Sequence, residues 1–203
     1  LDPGGHHWQD IIWQAWQQAH VPVSRDRFNN AYVYAERHLG SHPLIQPDDT
    51  FRQVLEQKVR LQLTHLQLST TTYEQSIVAF CYQCAQRHTA LSRPILQKLH
   101  ERYPLVLVTN FYGNIRTVLR EFHLNDLFDH VIESVAVGVR KPSPYIWQLG
   151  LDALGISAGD ALVIGDSIKN DILPALSLGC TVIWFHPNDT TDGDNPAPTV
   201  TTL

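Results

Sequence analysis

The sequence has no methionine among its 203 residues. Methionine makes up roughly 2% of an average composition, so about four would be expected. Their absence, with Leu1 in first position, predicts that residues of the natural chain are left out of this sequence, modified methionines among them. The mass of the purified protein checks that expectation. Cysteine is scarce too: Cys81, Cys84 and Cys180 do not make the disulfide framework of a small secreted protein. No run of lysine or arginine occurs and the formal charge is −5, which excludes a basic face for nucleic acid or anionic membranes. No apolar stretch approaches the length of a membrane span and no signal peptide is visible, so a soluble, cytoplasmic protein is expected. No internal repeat is present.

What is there suits one compact domain, or a core domain with a smaller one inserted, since 43% of the residues are hydrophobic. Residues 5–88 read as helix after helix. Trp8, Ile12, Ala15, Trp16 and Ala19 recur on one helical face. Ser24 is positioned to cap a helix carrying Phe28, Ala31, Ala35 and Leu39. Thr50 and Gln53 form a capping box ahead of Val54, Leu55 and Val59. Tyr73, Ile77, Phe80, Cys81 and Cys84 make a fourth stripe. No strand signal interrupts these four helices, which predicts an all-α bundle.

After about residue 90 strands and helices alternate. The expected order is a helix around Leu91–Arg102, a strand at Leu105–Val108 and a helix from Gly113 to Phe122. A strand near Val131–Ser134 and a helix from Pro144 to Leu154 follow. Then come a strand at Ala161–Ile164, a helix closed by Gly179, a strand at Thr181–Phe185 and a turn-rich tail ending in a short edge strand. Such alternation predicts a parallel sheet with right-handed crossovers, an α/β fold.

Three strand ends carry polar residues: Thr109 and Asn110 after "LVLV", Lys141 just before a helix capped by Ser143, and Gly165-Asp166-Ser167 with Asp171. A parallel sheet brings successive strand ends to one edge, where ligands of open α/β sheets bind. Each residue alone has an ordinary explanation: a turn residue, a solvated lysine, an acid complementing a helix dipole. Together and in this order they fit phosphoryl transfer. Thr109 and nearby backbone amides would donate to phosphate, and Lys141 would neutralise its charge. Asp166 would hold Mg²⁺, a hard cation that takes one or two carboxylates plus phosphate oxygens and water. Asp171 would be a further ligand, or would orient Lys141 or a metal-bound water.

These residues resemble the haloacid dehalogenase (HAD) superfamily of hydrolases, in its helical-cap phosphatase branch. Thr109 in "LVLVTN" is similar to the second motif, Lys141 in "GVRKPSP" to the third, and "VIGDSIKND" to the fourth in its phosphatase form. The resemblance implies a Rossmann-like parallel-sheet core, residues 1–4 and 89–203, with an all-α cap domain inserted at residues 5–88. It implies phosphate binding by Thr109, Asn110 and Lys141, with Mg²⁺ at Asp166 and Asp171. Ser143 stands where the family usually has Asp; both cap helices well, so little consequence is expected.

The family's first motif, DxDGT at the end of a central strand, is absent from the 203 residues. Asp2 aligns better where the chain enters the cap than as a degenerate nucleophile. Losing a central strand would strand several buried backbone groups at about 1–3 kcal/mol each, more than a marginal stability of roughly 5–15 kcal/mol tolerates. The strand and its two aspartates are therefore expected in the natural protein. The implied reaction is Mg²⁺-dependent hydrolysis of a small organic phosphate through an aspartyl-phosphate. A monomer or homodimer is expected. Alternatives are a phosphomutase, a dehalogenase, against which Asp166 argues, or a degenerate member that binds a phosphate ligand or a partner without turnover.

Cys81 and Cys84 form a CxxC on one helical face, read as core packing rather than redox or zinc chemistry. His6 and His7 read as a solvated helix start, and the sequon at Asn188 as a chance occurrence.

Overall fold

Caps and apolar stripes act where the sequence puts them. In the computed structural model, which describes residues 7–186 and 197–200, helix α1 (Trp8–Gln18) begins at His7, whose Nδ1 accepts from the Gln9 backbone N–H. Helix α2 (Arg25–Ser41) is capped by Ser24, and α3 (Phe51–His65) by the reciprocal Thr50–Gln53 box. Their buried faces carry Ile11, Ile12, Ala15 and Trp16, then Phe28, Ala31, Ala35 and Leu39, then Val54, Leu55, Val59 and Leu63. Asp2, His6, Asn188 and the expected tail up to Pro196 lie outside the described residues.

Helix α4 (Thr70–His100) differs from expectation. A separate helix around Leu91–Arg102 was expected, but one helix runs through Pro94. Proline's own φ is helical; what it lacks is the N–H that would reach the carbonyl four residues back. Cys81 is buried on this helix and unbonded, and burial pushes its thiol up to about 12, so it packs and does not react.

The chain divides into two compact units. The first holds the residues up to Leu91 together with Asn114–His123. It therefore includes α5 (Ile115–Glu121), which the sequence reading grouped with residues 89–203. The Glu121 carboxylate accepts from the Phe51 N–H at 2.6 Å and from the Tyr82 hydroxyl at 2.8 Å. Asn114 Nδ2 donates to the Asp49 carbonyl at 2.8 Å. Gly40, in the last turn of α2, faces open space: an added Cβ meets nothing within 4 Å. Gly40→Ala is therefore expected to stabilise by about 0.5–1 kcal/mol, read as a higher urea midpoint at unchanged m.

The second unit holds Ser92–Gly113 and the residues from Leu124 onward. Its strands are β1 (Val106–Thr109), β2 (His130–Glu133), β3 (Leu162–Gly165), β4 (Thr181–Phe185) and β5 (Thr199–Val200), and every pairing is parallel. Helices α6 (Ser134–Val137), α7 (Pro144–Leu154) and α8 (Leu173–Ser177) lie between them in sequence. Among the described residues the strands form two groups, β1–β2 and β3–β4–β5, where a single sheet was expected. Among the described residues nothing pairs with the free edges of β1 and β3, and Leu162 and Ile164 on β3 are 54% and 43% exposed. Helix α7 packs against both groups: Gly150 approaches Val106 and Val108 of β1, and Leu151 joins Ile172, Ala175 and Val182 in a shared core.

The helix expected after β3 opens as a π-turn over Ile168–Ile172 before α8 begins. The Ile172 N–H reaches back five residues to the Ser167 carbonyl at 3.2 Å. No helix among the described residues is long and apolar enough to cross a membrane.

Candidate active site

The polar residues at the strand ends all lie in the second unit. Thr109 is the last residue of β1, in register with Glu133 of β2. Its hydroxyl has no partner among the described residues. The loop that follows is held open by β2 and its successor: Glu133 accepts from the Gly113 N–H at 2.7 Å, and Ser134 Oγ from the Phe111 N–H at 3.3 Å. Gly113 sits at φ +100°, a conformation that glycine adopts without a Cβ penalty.

Asn110 faces Lys141, thirty-one residues on. Its Oδ1 accepts from the Lys141 N–H at 2.9 Å and its Nδ2 donates to the Lys141 carbonyl at 3.1 Å. Ser143 then caps α7, its Oγ accepting from the Tyr145 N–H, with Pro144 in the first turn. The Lys141 ammonium donates to Asp171 Oδ1 at 2.6 Å and lies 5.6 Å from the Trp147 ring centroid.

Asp171 is only 2% exposed, in the π-turn. Its Oδ2 accepts from the Ser167 N–H at 3.1 Å, so both carboxylate oxygens are engaged. Burial pushes the carboxyl up; Lys141 and the Ser167 N–H pull it down, and neighbouring Asp166 pushes it up again. Burial prevails. Asp171 lies so close over Gly165 that a Cβ there would fall 2.4 Å from the Asp171 Cβ.

Asp166 follows β3 and is exposed, and its carboxylate has no partner among the described residues. Its backbone carbonyl accepts from Trp184 Nε1 at 3.1 Å, reaching across from β4, where Trp184 is in register with Gly165. The structure thus brings Asn110, Lys141 and Asp171 into direct contact with Asp166 alongside, while Thr109 stands free at the end of β1. Sequence reasoning missed Glu133, Ser134 and Trp184. Their signal was faint: polar or aromatic residues at the ends of β2 and β4, in register with strand ends already singled out.

The residue that could hold a divalent cation is Asp166, an exposed carboxylate beyond a strand end with no partner among the described residues. The committed oxygens of Asp171 fit the orienting role better than direct ligation. Among the described residues no three His, Cys, Asp or Glu side chains are grouped to hold a metal by themselves.

Parts of known proteins are similar to this chain. The chain is 36% identical over 97 residues to the glyceraldehyde 3-phosphate phosphatase of Pyrococcus abyssi, covering 46% of this chain and 40% of that one. It is 40% identical over 87 residues to the phosphoglycolate phosphatase of Aliivibrio fischeri, covering 42% and 38%. The matched segment thus spans about two fifths of the length of these relatives. A crystal structure of a HAD phosphatase from Thermococcus onnurineus superposes with a TM-score of 0.55 at 20% identity, over 96% of this chain and 84% of that one. The fold is that of these hydrolases, and with a family match running over residues 7–179, the chain belongs to the haloacid dehalogenase-like hydrolases.

Proposed function

We propose that the protein is a Mg²⁺-dependent phosphatase acting on a small organic phosphate. The observation that carries this reading is the Lys141–Asp171 pair at the ends of the strand groups, beside the free carboxylate of Asp166. Lys141 spends one ammonium hydrogen on Asp171 and keeps others for phosphoryl oxygens. The Thr109 hydroxyl, free at the end of β1, is a second donor. Asp166 holds the cation, which neutralises charge between the ester and an attacking carboxylate. Asp171 holds the lysine ammonium in place.

The attacking aspartate belongs, in this reading, to a strand seated between β1 and β3. Among the described residues the edges of those strands are unpaired, and this and the exposed Leu162 and Ile164 support it. Phosphoglycolate and glyceraldehyde 3-phosphate, named for the relatives, head the substrates to try. The test takes the natural full-length protein, measures its mass, and screens phosphate monoesters with Mg²⁺ and with a chelator. Phosphate release that the chelator abolishes is expected. A mass matching these 203 residues alone, with no release from any ester, would overturn the proposal and leave a binding role.

A further inference from the structure

We propose that Asn110 is a positioning residue rather than a phosphate ligand: it clamps the backbone of Lys141 and so sets where the ammonium meets Asp171. The inference rests on the phosphatase reading for its catalytic meaning, but the clamp itself does not.

A side-chain amide presents an acceptor and a donor side by side, as a peptide group does. Asn110 uses both on one residue, accepting from the Lys141 N–H at 2.9 Å and donating to its carbonyl at 3.1 Å. Only one orientation of the amide satisfies both bonds. The pair acts as a rung of sheet made by a side chain, joining the end of β1 to a loop residue thirty-one positions away. A lysine side chain is long and rich in rotamers, so a bond to its ammonium fixes the charge only if the backbone is fixed as well. Asp171 and the Trp147 ring hold the far end; Asn110 holds the near end. The two Asn110 bonds tie the Lys141 loop to the end of β1.

Two measurements on the full-length protein test this. The first is competitive acetylation with acetic anhydride, read by mass spectrometry as labelling of Lys141 relative to exposed Lys98. Lys141 is expected to label slowly in the wild type and about five-fold faster in Asn110→Ala, the factor corresponding to about one hydrogen bond. Lys58, paired with Glu36 at 2.5 Å in the first unit, stays protected and reports that this unit is intact, while an unchanged far-ultraviolet circular dichroism spectrum reports that the second unit keeps its fold. Asn110→Asp keeps the acceptor and removes the donor; an intermediate rise is expected, and it carries the test if Asn110→Ala does not fold. Unchanged labelling of Lys141 overturns the clamp.

The second is a double-mutant cycle on the affinity for inorganic phosphate, using Asn110→Ala, Lys141→Ala and the pair. Lys141→Ala keeps the backbone that Asn110 holds. If Asn110 acts through the lysine side chain, its removal weakens phosphate binding in the wild type and changes nothing in the Lys141→Ala background. Equal weakening in both backgrounds makes Asn110 a direct ligand and overturns the proposal. If the wild type binds no phosphate at all, the phosphatase reading fails, and the labelling still decides the clamp.

Discussion

Asp166→Asn is expected to lower Mg²⁺-dependent phosphate release by at least about a hundredfold, the scale on which removing one electrostatic stabiliser acts. The substitution keeps size and shape and removes the charge. Nothing in the fold depends on that charge: the carboxylate has no partner among the described residues, and Trp184 binds the backbone carbonyl, which is unchanged. Exposed substitutions of this kind stay within about 0.5 kcal/mol, so Tm should move by no more than about 2 °C. The two readings separate a metal ligand from a structural residue. Release near the wild-type rate at saturating Mg²⁺ would remove Asp166 from the chemistry. A large fall in Tm would mean that the carboxylate supports the fold instead.

Gly165→Ala is expected to be damaging in both respects, for a steric reason. The new Cβ would lie 2.4 Å from Asp171 Cβ and 2.8 Å from its Cγ. Those carbons cannot swing aside. One is attached to the backbone of the π-turn, and the carboxylate is tied to Lys141 on one oxygen and to the Ser167 N–H on the other. Either the end of β3 or the turn must shift. Overpacking of this sort costs about 1–3 kcal/mol, which lowers Tm by roughly 2–4 °C per kcal/mol in a chain of this size. Because the shift moves the partner of Lys141, phosphate release should fall with it. Gly159→Ala is the control: its nearest neighbour, Ser157 Oγ, is 3.9 Å away, and Tm should not change measurably. A Gly165→Ala variant as stable as wild type would show that the close approach of Asp171 does not persist in solution.

The candidate site was legible as a set of residue types at strand ends. What each residue does there was not. The resemblance implied phosphate binding by Asn110, and its amide is used on Lys141. Asp171 read equally as a metal ligand or an orienting acid, and only its two occupied oxygens favour the second. Asp166, by contrast, remained what its position suggested, a free carboxylate beyond an apolar strand.

By itself the sequence determined what acts over one or two turns of chain. Ser24, the Thr50–Gln53 box and Ser143 with Pro144 begin their helices because a cap bonds backbone only two or three residues away. The apolar stripes of α1 to α3 and the alternation of strand and helix after residue 90 are equally local, and they were enough for the fold class. Tertiary structure alone decided that α4 continues through Pro94 and that α5 groups with the helical unit through Glu121. It also decided that Asp171 lies on Gly165 and Lys141. The grouping of α5 and the Lys141–Asp171 pair rest on bonds between residues thirty or more positions apart, and such partners have no signature in the spacing of nearby residues.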